Sequence, residues 1–235
     1  MKSLLLGSAA LALSATFALA DTVRLGTEGA YPPYNFINDA GEVDGFEREL
    51  GDELCKRAEL TCEWVTNDWD SIIPNLLSGN YDAIIAGMSI TDERKEVVAF
   101  TEGYTQPSPS AYAALSEGVD VTSSVVAAQA GTIQAAHVAE SGATLVEFPT
   151  PDETIAAVNS GETDVVMADK DFLAPIVESS DLVFLGDVYL GGGIGMAFRQ
   201  SDDEMRGKFN AAIASMKEDG SLNDMLEKWE IEGQF

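Results

Sequence analysis

The chain has 235 residues, 46% hydrophobic, 8% aromatic and 23% charged, which excludes a disordered tail or a collagen-like repeat and leaves one or two globular domains. Asp and Glu number 40 against 13 Lys and Arg, a formal charge of -27, so nucleic-acid backbones and anionic lipid surfaces would repel it. The first twenty residues differ from the rest: Lys2, an apolar run from Leu4 to Leu19, then Ala18-Leu19-Ala20 before Asp21. This pattern predicts a secretory signal peptide over 1–20, with a run short for a bilayer span and a mature chain from Asp21. The only cysteines, Cys55 and Cys62, then reach an oxidising compartment, where a bridge between them is expected. A metal pair or two free thiols are the alternatives; a zinc set lacks a third cysteine and has only the remote His137.

Short β-branched runs alternating with helical periods predict an α/β architecture. Val23 to Leu25 reads as the first strand, and Phe46, Leu50, Leu54 and Ala58 recur every four residues, predicting a helix over 45–59 that carries Cys55. Cys62 opens the next strand. Asp68 is placed to cap a helix from Trp69 with Ile72, Ile73, Leu76 and Leu77 inward, a kink at Pro74 and a stop at Gly79. The run Ser78-Gly79-x-x-Asp82-Ala-Ile-Ile-Ala86 recurs as Ser160-Gly161-x-x-Asp164-Val-Val-Met-Ala168, helix stop followed by buried strand, and points to two similarly built lobes. Ligands of open α/β sheets gather at the carboxyl ends of strands, here Ser89 to Arg94 and Asp169. Thr150-Pro151-Asp152-Glu153 carries a capping box, and Ser201 with Glu204 suggests another ahead of the stripe Met205, Phe209, Ile213 and Met216, which Gly220 ends. Gly103 to Ser110 and Asp187 to Gly193 read as inter-lobe crossings able to hinge.

The motifs Gly26-Thr-Glu-Gly-Ala-Tyr31-Pro-Pro-Tyr-Asn-Phe36, Gly45-Phe46, Trp69-Asp70 and Ser89-Ile-Thr-Asp-Glu-Arg94, in this order and spacing, resemble the periplasmic polar amino-acid-binding proteins of ABC importers. The pattern is most similar to the histidine- and lysine/arginine/ornithine-binding proteins, which carry a cysteine pair placed like Cys55 and Cys62. The resemblance implies a type II periplasmic binding-protein fold: lobe 1 from 21–104 and 193–235, lobe 2 from 105–192, and hinges near 103–110 and 187–193. It also implies a monomer in the periplasm that closes on one free amino acid, a basic one preferred, and delivers it to a membrane permease, with no cofactor, metal or nucleic acid.

The same resemblance implies a ligand set. Arg94, beside the Ser89 turn, would take the α-carboxylate together with the helix N-terminus at Thr132, Ile133 and Gln134, and Asp169 would take the ammonium. Tyr31 and Trp69 would sandwich the side chain, and Glu28 would face its far end. Ala86, Gly87, Met88 and Gln129 complete the set. On residue chemistry alone Arg94 is equally a surface arginine, Asp169 a helix N-cap, Trp69 a core indole and Glu28 a surface acid. Ala86 and Gly87 stand where the nearest relatives have serines, and Ile133 where they have threonine, so side-chain hydroxyl contacts are lost. The stretch Ser116 to Ser124 is shorter than usual, suggesting a missing helix or loop. No nucleophile motif, phosphate loop or metal cluster points to an enzyme; a cyclohexadienyl dehydratase on this fold and a glutamine-binding protein are the alternatives.

Overall fold

The structure, a computed structural model, describes residues 22–235; the proposed signal peptide lies outside the described residues. Two five-stranded mixed sheets dominate. The first runs in the order Cys62–Thr66, Val23–Thr27, Ala83–Ile84, Ala197–Phe198, Ala99–Phe100, and the second in the order Thr144–Phe148, Val125–Gln129, Val165–Asp169, Pro109–Ala114, Val183–Tyr189. Each has three parallel strands followed by an antiparallel one. In the first sheet that antiparallel strand arrives from the far end of the chain. A small antiparallel sheet pairs Ala30–Tyr31, Asn35–Ile37 and Val43–Asp44, its last two strands against helix Phe46–Arg57.

The internal echo is structural. Gly79 and Gly161 both adopt left-handed φ, at 80° and 77°. Three residues on, Asp82 and Asp164 each clamp the first parallel strand of their sheet. The Asp82 amide donates to Arg24 O at 2.8 Å while its carboxylate accepts from Arg24 N at 3.0 Å. Asp164 does the same to Val125, at 2.9 Å in both directions. The repeated aspartate thus sets strand register twice.

Helix Phe46–Arg57 buries Phe46, Leu50 and Leu54 completely, as the period of four requires. Gly45 before it has φ 113°, and a Cβ there would meet Tyr34 O at 2.6 Å, so only glycine fits. The helix carries Cys55, which is bridged to Cys62. Trp69–Ser71 forms a 3-10 turn before the α-helix Ile72–Leu77, and Asp68 makes no side-chain cap. Pro74 therefore lies in the first α-helical turn, where its missing N–H goes unused. The Thr150 capping box forms with both hydrogen bonds. The one expected at Ser201 does not. Helix Asp203–Asp219 starts two residues later, and the Ser201 hydroxyl donates to Asp202 Oδ1 at 2.8 Å instead. Phe209, Ile213 and Met216 are nevertheless fully buried.

The two expected crossings run side by side. Tyr104 N donates to Ile194 O at 2.8 Å, and Ile194 N donates to the Thr105 hydroxyl at 3.0 Å. Gly193, at φ 86°, passes so close that a Cβ would meet Thr105 O at 2.5 Å. Of the segment 187–193, Asp187 to Tyr189 still belongs to a strand. Between strands Pro109–Ala114 and Val125–Gln129 the short connection contains no helix; Asp120 closes it by accepting from Thr122 N and the Thr122 and Ser123 hydroxyls.

Candidate functional site

The carboxyl ends of the parallel strands of both sheets converge on one narrow cavity that the surrounding side chains largely fill. Its wall contains Glu28, just beyond strand Val23–Thr27, Ala86, Gly87 and Ser89 beyond Ala83–Ile84, and Gln129 and Asp169, the last residues of their strands. Tyr31, Trp69, Arg94 and the helix start at Thr132, Ile133 and Gln134 close it. Met88 is the one expected ligand residue missing from the wall. It is fully buried, packed with Ile72, Tyr81 and Ile84 behind the sheet, because the bend at Gly87, with φ 60°, leaves Gly87 and Ser89 on the cavity and turns Met88 into the core.

Arg94 sits in the short helix Asp92–Lys95, which Thr91 caps by accepting from Arg94 N at 3.2 Å. Its guanidinium donates to Ser89 O at 3.0 Å, reaches toward Gly131 O at 3.4 Å and lies 5.3 Å over the Trp69 ring. Loss of water lowers its pKa to about 10 against the opposing pull of Asp169, so it remains a cation at neutral pH. A solvated surface arginine is ruled out.

Asp169 occupies the N-cap position of helix Lys170–Ser179 yet makes no capping hydrogen bond. Its carboxylate turns to the cavity instead. Oδ2 accepts from the Tyr31 hydroxyl at 2.8 Å, and Oδ1 from Gln134 Nε2 at 2.8 Å and Ser110 Oγ at 3.4 Å. Burial pushes its pKa up, while these donors and Arg94 pull toward the charged form. At the other end Glu28 accepts from Gln129 Nε2 at 2.6 Å. Burial, with the Asp68 charge adding to it, raises the Glu28 carboxyl to about 7 despite that hydrogen bond. Among the described residues neither carboxylate is ion-paired.

Tyr31 stacks one face on Phe172, with centroids 4.6 Å apart and planes at 10°. Thr132 caps helix Ile133–Ser141 by accepting from Ala135 N, so the other amides of its first turn remain available. Three contributors lay outside the sequence reading. Ser110, in strand Pro109–Ala114, and Phe172, in helix Lys170–Ser179, support Asp169 and Tyr31. Glu47, fully buried, accepts from Gly87 N at 2.6 Å, from Asn35 Nδ2 at 2.7 Å and from the Tyr104 hydroxyl, tying the cavity turn to a crossing segment. In sequence it is only an acid in the first turn of a helix.

The family model of bacterial extracellular solute-binding proteins, family 3, matches residues 23–232. The chain is 32% identical to the L-arginine-binding protein of Pseudomonas aeruginosa over 97% of its length and 96% of the relative's. It is 31% identical to the lysine/arginine/ornithine-binding periplasmic protein of Escherichia coli, over 97% and 94%. Among solved structures, a periplasmic His/Glu/Gln/Arg/opine family-binding protein from Silicibacter pomeroyi in complex with lysine superposes with a TM-score of 0.87 at 72% identity, covering 88% of this chain and 96% of that one. Two repeated sheets, paired crossings and a cavity of opposed charges at their strand ends have the type II periplasmic binding-protein fold, and the chain belongs to the bacterial extracellular solute-binding proteins, family 3.

Proposed function

We propose that the protein captures a basic L-amino acid, lysine, arginine or ornithine before histidine, in the periplasm after cleavage of residues 1–20, and hands it as a monomer to an ABC permease without converting it. The observation that carries this reading is the charge pattern of the cavity: two half-buried, largely desolvated carboxylates and one such guanidinium, none ion-paired among the described residues. Buried charge is costly unless matched. A basic amino acid supplies one anion and two cations, the complement of that set. Arg94 and the first-turn amides after Thr132 take the α-carboxylate, Asp169 the α-ammonium and Glu28 the side-chain cation, with the aliphatic stem between Trp69 and Tyr31.

Lobe 1 (21–104 and 193–235) and lobe 2 (105–192) close as units about the paired crossings near 103–110 and 187–193, and small-angle scattering should show a smaller radius of gyration with ligand. Mass spectrometry of protein released by denaturation without dialysis identifies retained amino acid, and calorimetry ranks the candidates. Tighter binding of glutamine than of lysine would sink the basic reading. Glutamine is the second reading, because Glu28 near pH 7 also exists as the neutral acid and either form can bond a side-chain amide. Incubation with prephenate, watched for phenylpyruvate absorbance, tests the dehydratase alternative; product formation would overturn the transport role.

A further inference from the structure

Beyond the backbone bonds along the crossings, such as Gly192 N to Ile90 O and Gln106 N to Gly233 O, and that of Ile194 N to the Thr105 hydroxyl, the hydrogen bonds that join the two halves fall into two groups. Glu28 with Gln129, Tyr31 with Asp169 and Arg94 with Gly131 lie at the cavity, where a ligand shares or displaces them. Asp171 is different. It sits in the first turn of helix Lys170–Ser179, is only 6% exposed and is absent from the cavity wall.

Its helix packs on strands of the second sheet, yet both carboxylate oxygens accept from the other half of the molecule. Oδ2 accepts from the Tyr34 hydroxyl at 2.8 Å and Oδ1 from the Glu232 amide at 3.3 Å. Tyr34 is fully buried in the core built on Phe46 and Leu50, and Ile231, next to Glu232, belongs to that same core. No cation pairs with Asp171 among the described residues. The charged groups that face it are Asp169 and Glu232, while neighbouring Lys170 is committed to Asp187 at 2.7 Å.

We propose that Asp171 and Tyr34 form a latch of the closed state, a positioning pair that holds the lobes together on any ligand without reading its side chain. The proposal rests on the closing motion of the previous section. Opening separates the pair and returns the carboxylate to water; closing buries it against two donors. The population of the closed, binding-competent state enters the dissociation constant of every ligand as one common factor. Removing the latch should therefore weaken all ligands equally and speed release more than it slows capture.

The experiment is Tyr34→Phe, which keeps the ring in the core, with Asp171→Asn as the second variant, each titrated with lysine, arginine, histidine and glutamine. Every dissociation constant should rise by about tenfold, the effect of one hydrogen bond to a charged acceptor, with the ratios among ligands held to about twofold. The double variant should fall short of the product of the singles. Ligand-saturated protein should melt lower than wild type while ligand-free protein melts nearly unchanged, a split that a purely structural role would not produce. Unchanged dissociation constants, unequal losses among ligands, or equal melting losses with and without ligand would each overturn the latch. A wild type that binds none of the four amino acids fails at the earlier step, refuting the solute-binding reading before any variant is compared.

Discussion

At the scale of single residues, the proposed preference for a basic ligand rests on Glu28. Its carboxyl, raised to about 7 by burial, has a neutral donor from Gln129 but no cation, so a ligand ammonium or guanidinium supplies the missing charge. Glu28→Gln should cost lysine and arginine about 1.5 to 3 kcal/mol, the range for a charge-assisted hydrogen bond, and leave glutamine nearly unchanged in calorimetry. The same group makes binding pH-dependent. Below pH 7 Glu28 holds a proton that a cationic side chain must expel, so lysine affinity should fall as pH drops from 8 to 5. Calorimetry in two buffers of different ionisation heat should register that released proton for lysine and none for glutamine. A lysine affinity that is flat across this range would remove Glu28 from the side-chain subsite.

Among elements, the repeated clamps of Asp82 and Asp164 invite a comparison, because the same backbone geometry is embedded differently. Asp82 also receives Arg24 Nε and Nη2 at 3.0 Å and Arg199 at 3.3 Å; burial pushes its carboxyl up, but these donors hold it below the usual carboxylate range. Asp164 clamps Val125 in a more exposed setting, and no arginine shares it among the described residues. Asp82→Ala should therefore cost about 2 to 3 kcal/mol and Asp164→Ala about 1 kcal/mol, read as melting shifts of about 2 to 4 °C per kcal/mol. Equal losses would mean that the arginines add nothing. The Cys55–Cys62 bridge joins one helix to the strand after it, with a separation of 7 residues. Its loop entropy is worth about 2.5 kcal/mol. Reduction should lower the melting temperature while the lysine dissociation constant stays put, because neither sulfur approaches the cavity. Thiol titration of unreduced, denatured protein should find no free thiol.

For the molecule as a whole, the direction of the carboxyl shifts sets the pH profile of stability. Glu28 and Asp171 are raised, to about 7 and about 6, and burial pushes Asp169 and Glu47 upward as well. A raised folded-state pKa contributes stability that is full below the unfolded carboxyl range and lost as pH rises through the folded value. Asp82 and Asp219 act oppositely. Their carboxyls are lowered, Asp219 to about 2 by Ser221 and Arg57, and their contribution is lost only in acid below about pH 4. Between pH 5 and 8 the first group governs, and easing self-repulsion in a chain of charge -27 works in the same direction. Ligand-free, the open lobes return Glu28, Asp169 and Asp171 to water, so Glu47, buried within lobe 1, and the self-repulsion set the profile, and the ligand-free melting temperature should fall from pH 5 to pH 8. A ligand-free melting temperature that climbs over this window would contradict the assignment.

Signals that depend on a few neighbouring residues were legible in the chain itself: the period of Phe46, Leu50 and Leu54, the Thr150 capping box, and the twice-used Ser-Gly-x-x-Asp stop. Together with the motif from Gly26 to Phe36 and the spacing to Arg94, they specified two repeated α/β units and nearly the whole cavity wall. Tertiary structure decided what depends on partners brought from afar. Gln129 reaches Glu28 across 101 residues, and Tyr34 reaches Asp171 across 137. Neither member of either pair carries a local mark of the other. Met88 was misplaced because adjacent residues of a turn share a motif but face opposite sides of the sheet. The Ser201 cap failed where Asp202 captured the hydroxyl. Which acids lose their water, and so which hold a proton near neutrality, follows from burial, and burial exists only once both sheets and the segments between them are assembled.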